Sequence, residues 1–248
     1  MVTLKNILFF YLALLISSCA VTRTSSGINK PPTKSFVKIF HFTTIKSCHE
    51  KNKLNCKPGT FGQTGSGMTI AVFKGEVTVL TAGHVCDAGI NENIVKEYSQ
   101  IVYALDHNNV KHQAWPIHIS LDDQISKGDL CLLWVPTLDV RSIEISLYPP
   151  KIGDELYYIG SPLGIYHPPT VPIFKGVYSG KINGSAAIAT FPAIGGASGA
   201  AVFDKNNRIV GVVFAANQAF HHVTLITTYK SLKLFLKEAK IKFNNTQQ

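Results

Sequence analysis

The chain has 248 residues, 46% of them hydrophobic, so it is long enough for one domain of two packed halves with a sizeable core. Its formal net charge of +9 is spread along the chain and is not gathered in one block. Because no nucleic-acid-binding motif accompanies that charge, the composition argues against a specific nucleic-acid function.

The N-terminus is typical of an export signal. Lys5 supplies a positive charge, and residues 7–16 (ILFFYLALLI) form an apolar run that is short for a bilayer span. Residues 16–19 (ISSC) resemble the lipobox of bacterial lipoproteins, which implies cleavage before Cys19 and acylation of that cysteine. An ordinary signal peptide cut near Ala20, or an uncleaved anchor, is the alternative.

These observations divide the N-terminal part of the chain. We expect a signal peptide over residues 1–18 and a flexible polar tether over residues 19–35, since that stretch has no apolar period. The protein is therefore expected to be exported and held by its lipid at a bacterial membrane, on the periplasmic or extracellular face.

The rest of the chain is dominated by strand patterns, with one amphipathic helix at the end. Residues 229–241 place Leu232, Phe235, Leu236 and Ala239 on one face and lysines on the other, which predicts a helix packed on the second half of the protein; contact with a membrane surface is the alternative. Strands are predicted over residues 36–44, 68–73, 76–80, 98–105, 110–119, 130–135, 174–180, 184–191, 201–203, 208–214 and 223–228.

Cys48 and Cys56 lie in a lysine-rich loop after the first strand. An exported chain meets an oxidising compartment, so the pair predicts a short-loop disulfide. A zinc site that adds His49 is the alternative, but it lacks a convincing fourth ligand. His107, His112 and His118 have no motif around them and are expected at the surface.

Three short motifs have the residue types of nucleophilic catalysis. Ser198 lies among small residues in IGGASGA, where a tight turn can expose its hydroxyl and aim backbone N–H groups at an oxyanion. His84 follows the strand that ends in TAG, and Asp129 directly precedes an apolar strand. Each motif alone has a structural explanation, such as a glycine-rich loop or a core histidine, and Asp122 and Asp123 compete with Asp129 on position.

Taken together, the order His, Asp, Ser resembles the chymotrypsin-like serine protease superfamily. Residues 65–70 (GSGMTI) and 79–84 (VLTAGH) resemble bacterial trypsin-like proteases, and residues 159–164 (IGSPLG) match an element of Deg-type proteases. The C-terminal part also looks like bacterial glutamyl endopeptidases. The resemblance implies an all-β domain over residues 36–243.

The fold implied by this resemblance is two packed six-stranded antiparallel β-barrels. The N-terminal barrel is expected over residues 36–140, the C-terminal barrel over residues 150–228 and the helix over residues 229–241. Ala197 stands where many relatives carry Asp or Asn, so a zymogen switch based on that carboxylate is not expected. We also expect no PDZ domain.

The resemblance also implies a role for each site residue. Ser198 is the expected nucleophile, His84 the general base and Asp129 the group that orients the histidine. The N–H groups of Gly196 and Ser198 are the expected oxyanion hole. This chemistry needs no metal and no cofactor, and its partner is a protein or peptide substrate. The alternative is a catalytically silent, lipid-anchored binding module of the same fold.

Two stretches correspond to the family's pocket for the side chain before the cut. They supply the candidate substrate-binding residues Pro192, Ala193, Val213, Phe214, Ala215 and Ala216. Neither stretch contains a carboxylate, and the methyl groups of the two alanines at 215 and 216 narrow the pocket, so a small or medium apolar side chain is expected. A preference for an acidic residue is the alternative if His221 or His222 folds back toward the pocket.

Two further cysteines lie close to the candidate catalytic residues. Cys86 comes two residues after His84, and Cys131 two residues after Asp129. If His84 and Asp129 meet, these cysteines can meet as well. A second disulfide and two buried free thiols are both consistent with the sequence.

Overall fold

The computed structural model describes residues 30–52, 56–73, 76–121, 128–217, 219–220 and 222–246. The expected signal peptide, Cys19 and most of the expected tether lie outside the described residues. So do Asp122, Asp123 and His221. Thr33–Ser35 form a short 3-10 turn, and the buried Ser35 hydroxyl donates to the carbonyl of Arg141 at 2.6 Å, so the packed part of the chain includes these last tether residues.

The first half of the chain closes into a six-stranded antiparallel barrel. Neighbouring strands follow the order β1-β2-β3-β6-β5-β4. Their bounds are β1 Phe36–Cys48, β2 Gly59–Ile70, β3 Thr78–Thr81, β4 Val95–Leu105, β5 Lys111–Ser120 and β6 Leu130–Trp134.

The second half repeats this architecture with a different set of strands. The order around the second barrel is β10-β11-β12-β9-β8-β7. The bounds are β7 Glu155–Ile159, β8 Ile173–Lys181, β9 Ala186–Ala189, β10 Ala201–Phe203, β11 Ile209–Ala216 and β12 Thr224–Thr227. The predicted fold of two closed six-stranded antiparallel barrels is confirmed.

Strand β2 is longer than its sequence indicates. The glycine-rich residues 59–67 are not a loop but pair with β1, from Ile45 opposite Gly59 to Phe36 opposite Met68. Glycine is needed inside this strand because neighbouring side chains come very close: a Cβ at Gly67 would lie 2.6 Å from Cγ1 of Val79. Close packing thus explains why a strand here has a loop-like composition.

The C-terminal helix joins the two barrels. It runs over Tyr229–Thr246, five residues longer than expected, and we call it α2 because a short helix precedes it in the chain. Its predicted apolar face is buried, but it packs against β5 and β6 of the first barrel as well as β11 of the second. The predicted packing on the second barrel is therefore observed, and the contacts with the first barrel are additional ones that the sequence did not indicate. None of the helices described here is long and apolar enough to cross a bilayer.

The isolated histidines are less exposed than expected. His112 is buried, and its Nδ1 lies 2.9 Å from the hydroxyl of Thr137. His118 stacks on Phe235 of α2, with ring centroids 4.7 Å apart. Contacts between distant parts of the chain bury these rings, and such contacts leave no local sequence pattern.

Both cysteine pairs form disulfides. The predicted bond joins Cys48 to Cys56, with their Cα atoms 6.0 Å apart, which consumes the two thiols of the alternative zinc site. Cys86 is bonded to Cys131, with Cα atoms 6.4 Å apart, so these residues are not free thiols. The second bond ties the segment after His84 to the strand after Asp129.

Candidate active site

His84 and Asp129 lie at the ends of two paired strands. His84 belongs to a short helix, α1 (Gly83–Cys86), which begins just after β3. Strand β6 starts immediately after Asp129 and pairs with β3, with Thr81 opposite Cys131. The strand pairing therefore brings the two residues together although 45 positions separate them in sequence.

Asp129 holds both the backbone and the ring of His84. Its Oδ1 accepts the backbone N–H of His84 at 2.8 Å, and its Oδ2 is hydrogen-bonded to the ring Nδ1. The Asp129 side chain is 9% exposed and the His84 side chain 44% exposed. A buried carboxylate on Nδ1 favours the tautomer whose Nε2 is free to accept a proton.

Gly83 makes this close arrangement possible. A Cβ at that position would lie 2.3 Å from the carbonyl oxygen of Ser120 and 2.6 Å from Oδ1 of Asp129. Any larger residue would push the carboxylate away from the helix that carries His84. The glycine in the motif TAGH is thus a requirement of packing.

Ser198 sits on a turn of the second barrel that contacts the first barrel. Its carbonyl accepts the N–H of Ser66 at 2.8 Å. The next residue, Gly199, has φ +85°, and a Cβ there would lie 2.0 Å from Oγ1 of Thr81, three residues before His84. These contacts place the serine against the strand end that leads into the histidine.

Two backbone N–H groups on this turn have no acceptor among the residues that the structure describes. Within the described part of the chain, the N–H groups of Ala197, Gly199 and Ala200 all donate to backbone carbonyls, whereas those of Gly196 and Ser198 donate to no protein atom. Neighbouring unpaired donors on one turn are what stabilisation of an oxyanion requires.

The partner atoms of these two peptide units determine where the free N–H groups point. The Gly195 carbonyl accepts the N–H of Leu163 at 2.7 Å, and the Ala197 carbonyl accepts the N–H of Ala200 at 3.0 Å. In a trans peptide the N–H points opposite to the carbonyl. Each hydrogen bond therefore directs the N–H of the same peptide unit, that of Gly196 or of Ser198, away from the residue that the carbonyl contacts, Leu163 or Ala200.

Leu163 and Gly196 both need unusual backbone conformations for this contact. Leu163 has φ +53°, which is rare for a residue with a side chain, and Gly196 has φ +92°. A Cβ at Gly196 would lie 2.5 Å from the carbonyl oxygen of Ser161, so only glycine fits. Residues 159–164 (IGSPLG) and the serine turn therefore pack closely, backbone against backbone. The sequence gives no sign of this contact.

A cavity of about 840 Å³ opens beside Ser198. Five of the six candidate substrate-binding residues line it, namely Pro192, Ala193, Val213, Ala215 and Ala216. Phe214 does not: its ring packs against the core of the first barrel, because successive side chains of a strand point to opposite faces. Ile194, the last residue of the first predicted pocket stretch (residues 191–194), lines the cavity as well. Residues that line the cavity but were missed from sequence are Tyr158, Pro162, Leu163, Ile165, Phe174, Gly195, Ala197 and Asn217.

The lining of this cavity is uncharged. Tyr158 and Phe174 stack with ring centroids 4.9 Å apart, and the Tyr158 hydroxyl donates to the carbonyl of Pro192 at 2.7 Å. Burial raises the pKa of Tyr158 above its usual range, so this hydroxyl stays neutral. His222 is exposed and lies beside Phe220, not in the cavity.

The described residues contain no group of three or more His, Cys, Asp or Glu side chains that are arranged to hold a metal ion.

Comparison with known proteins is consistent with this geometry. The family model described as a trypsin-like peptidase domain matches residues 65–212. No curated protein matches the sequence significantly. Among solved structures, the active form of the Rv3671c protease from M. tuberculosis is 20% identical, with a TM-score of 0.60 over 83% of this chain and 81% of that chain.

Two further structures share the fold at similar identity. The inactive form of Rv3671c is 19% identical, with a TM-score of 0.58 over 84% of this chain and 90% of that chain. The serine endoprotease from Yersinia pestis is 17% identical, with a TM-score of 0.58 over 84% of this chain and 64% of that chain. The family match spans more than half of the sequence, and the chain therefore belongs to the family of trypsin-like peptidases, which are serine endopeptidases.

Proposed function

We propose that the protein hydrolyses peptide bonds through Ser198, His84 and Asp129. The observation that carries this proposal is the buried Asp129, which holds the backbone and the ring of His84 at the strand end that the Ser198 turn contacts. The two unpaired N–H groups on the same turn add a place for the oxyanion.

The proposed reaction proceeds through an acyl-enzyme. Ser198 Oγ attacks the scissile carbonyl carbon while His84 Nε2 takes the hydroxyl proton, and the N–H groups of Gly196 and Ser198 bind the resulting oxyanion. His84 then gives the proton to the leaving amine as the C–N bond breaks. Water, deprotonated by the same histidine, then attacks the ester carbonyl carbon. The C–O bond to Ser198 breaks, His84 returns the proton to Ser198 Oγ, and the acid product leaves. Asp129 stabilises the imidazolium of His84 during both acylation and deacylation.

The proposed substrate has a small or medium apolar side chain, such as Val, Ala or Leu, directly before the cut. The uncharged aromatic and aliphatic lining of the cavity supports this choice. A charged substrate side chain would be desolvated there without a partner.

The direct test is labelling with a fluorophosphonate probe followed by mapping of the modified peptide. Residues 20–248 should be labelled at Ser198 and should cleave peptides. Ser198→Ala should abolish both signals, and Ser179→Ala, which changes an exposed serine on β8, should abolish neither. Cleavage by the Ser198→Ala variant at the wild-type rate would refute the assignment, and failure of the wild-type chain to react would favour a silent binding module.

Export and lipid anchoring are a separate part of the proposal. The charged start, the short apolar run and the ISSC sequence support acylation of Cys19, and two disulfides suit an oxidising compartment. Each buried CH₂ of an acyl chain contributes about 0.8 kcal/mol, so several chains would anchor the protein firmly. Mass spectrometry should find acyl groups on an N-terminal Cys19; an unmodified N-terminus at another residue would refute the anchor.

A further inference from the structure

Ser66 of the first barrel contacts the serine turn of the second barrel through its hydroxyl. Ser66 is completely buried in β2, and its Oγ lies 2.8 Å from the carbonyl oxygen of Gly196. A carbonyl can only accept, so the single hydroxyl proton of Ser66 is committed to Gly196. The N–H of Ser161 in turn donates to the Ser66 oxygen at 2.9 Å.

The backbone of Ser66 forms a second contact with the same turn. Its N–H donates to the carbonyl of Ser198 at 2.8 Å. Its own carbonyl accepts the Thr81 hydroxyl at 2.7 Å, which fixes the position of this backbone independently of the Ser66 side chain. One residue therefore touches both positions whose N–H groups are free.

These contacts divide the carbonyl groups of four consecutive peptide units between the two barrels. Units 195–196 and 197–198, which carry the free N–H groups, are held within the second barrel by Leu163 and Ala200. Units 196–197 and 198–199 alternate with these two units along the chain. Ser66 holds both of their carbonyls, that of Gly196 through its hydroxyl and that of Ser198 through its backbone N–H. Rotation of unit 196–197 would change the angle between the two free N–H groups, because it connects them.

We infer that Ser66 is a positioning residue for the oxyanion hole. Its hydroxyl holds the peptide unit between Gly196 and Ala197, so that both free N–H groups aim at one oxygen atom. The hydroxyl comes from the barrel that carries His84 and Asp129, so the same contact also aligns the hole with the base. This inference rests on the proposed function of Ser198.

The packing around Ser66 leaves little room for another group to replace the hydrogen bonds of its hydroxyl. The hydroxyl is enclosed, and a Cβ at Gly160 would lie only 3.2 Å from its oxygen. Without the hydroxyl, the Gly196 carbonyl would lose its donor and the Ser161 N–H its acceptor in a buried place. The turn would then relax to find other partners, and the two N–H groups would no longer converge.

The variant Ser66→Ala isolates this hydroxyl, because the backbone contacts of Ser66 stay available. We would measure kcat and KM for a peptide amide, and Ki for a peptidyl trifluoromethyl ketone, which forms a tetrahedral oxyanion on the serine. We expect kcat to fall about tenfold to a hundredfold and KM to stay within about twofold. Ki should rise by the same factor as kcat/KM falls, which a merely structural residue would not produce.

Ser161→Ala is the matched control. The Ser161 hydroxyl is equally buried and lies 3.3 Å from the Ser66 oxygen and 3.4 Å from the carbonyl of Gly65, but among the described residues it has no hydrogen bond to the serine turn. Removing it should cost stability with little change in kcat or Ki. If Ser66→Ala does not fold, Ser66→Cys, with a weak donor of similar size, should show a smaller loss in the same direction.

The possible outcomes separate this inference from the proposed function. An active wild type with unchanged kcat and Ki in Ser66→Ala, or with wild-type values in a folded Ser66→Cys when the alanine variant does not fold, would overturn the inference alone. An equal loss of kcat and of inhibitor affinity in Ser161→Ala would also overturn the inference, because the removal of either buried hydroxyl would then have the same effect. A wild-type protein without peptidase activity would overturn the proposed function and the inference with it.

Discussion

Asp129 fixes His84 at two points, since one carboxylate oxygen accepts the backbone N–H at 2.8 Å and the other is bonded to the ring Nδ1. The first contact sets where the short helix α1 begins, and the second sets which ring nitrogen carries the proton. The carboxylate therefore contributes both to the local fold and to the proposed chemistry, and the two contributions can be separated by substitution.

Asp129→Asn should keep the fold and lose the activity. The amide oxygen can still accept the His84 backbone N–H, but an NH₂ group facing Nδ1 would favour the tautomer with the proton on Nε2, which cannot accept one from Ser198. We expect kcat at neutral pH to fall by about 10⁴ with little change in Tm. A loss of Tm that parallels the loss of kcat would contradict this separation, because Asp129 would then act only through the fold.

The Cys86–Cys131 disulfide should support both stability and activity. It closes a loop with a sequence separation of 45 between the segment after His84 and the strand after Asp129. The chain-entropy model predicts a loss of about 4 kcal/mol in the free energy of unfolding when this bond is removed. We expect the double variant C86A/C131A to show a lower Tm and a several-fold lower kcat, because α1 loses its tie to β6.

The other disulfide provides the control for this experiment. The Cys48–Cys56 bond has a sequence separation of 8 and touches neither α1 nor β6 in sequence, because Cys48 ends β1 and Cys56 precedes β2, so C48A/C56A should lose about 2.5 kcal/mol of stability and keep its kcat. Equal kcat in the two double variants would show that the bond near His84 has no part in positioning the base.

Much of the candidate site could be predicted from local sequence, because its main residues lie at strand ends. Strands β3 and β6 are recognisable from their apolar runs, and the residues that flank them are His84 and Asp129. The contacts that shape the site are different: Ser66 with Gly196, and Leu163 with Gly195, join segments from different parts of the chain. No local pattern encodes such contacts, so the backbone arrangement of the proposed oxyanion hole is visible only in the structure.

Contacts between distant segments also explain why the orientation of Phe214 and the length of strand β2 were predicted incorrectly. The alternation of strand β11 indicates that Phe214 and Val213 point apart, but only the packing of the two barrels shows that the Phe214 ring belongs to the core of the first barrel. Residues 59–67 have a loop-like composition because β2 must lie close to its neighbours. Propensity is overridden here by contacts that form only after both barrels close.

His41 should make the stability of the protein depend on pH. It is buried in β1, its Nδ1 lies 3.0 Å from the carbonyl of Val85, and its Nε2 has no hydrogen-bond partner among the described residues. Burial lowers the pKa of His41 below its ordinary value of 6.5, and the Val85 carbonyl and Asp87 oppose this shift without reversing it. The neutral form is therefore the one that the folded protein favours.

The folded protein should become less stable at acidic pH, because the unfolded chain binds a proton at His41 more readily than the folded chain does. Because the pKa of His41 is lower in the folded state, the unfolded chain binds more protons below pH 6.5, and the free energy of unfolding decreases as the pH falls through that value. His41→Asn keeps a donor near the Val85 carbonyl but does not titrate. Between pH 7.5 and 5, Tm should fall less in this variant than in the wild type; equal slopes would exclude His41 as a source of the pH dependence.

The residue before the cut can be tested against the shape of the cavity. Matched peptides with Val, Ala, Leu, Phe, Glu or Arg at that position should give the highest kcat/KM for the small and medium apolar residues. Glu and Arg should be at least a hundredfold worse, since desolvating an unpaired charge costs several kcal/mol. A preference for either of them would mean that a charged partner enters the cavity, for example from His222, which is exposed in this structure.

Ala216→Gly tests whether the cavity limits the size of the substrate side chain directly before the cut. Ala216 lines the cavity at the end of β11, and removing its methyl group should widen the entrance without adding charge. The ratio of kcat/KM for the Phe peptide to that for the Val peptide should rise several-fold, because only the larger ring uses the new space. Ile182→Ala, a change of similar type at an exposed residue outside the cavity lining, should leave that ratio unchanged. If Ala216→Gly changes the two peptides equally, the width of the cavity at this point does not set the preference, and the wall formed by Tyr158 and Phe174 becomes the place to look for it.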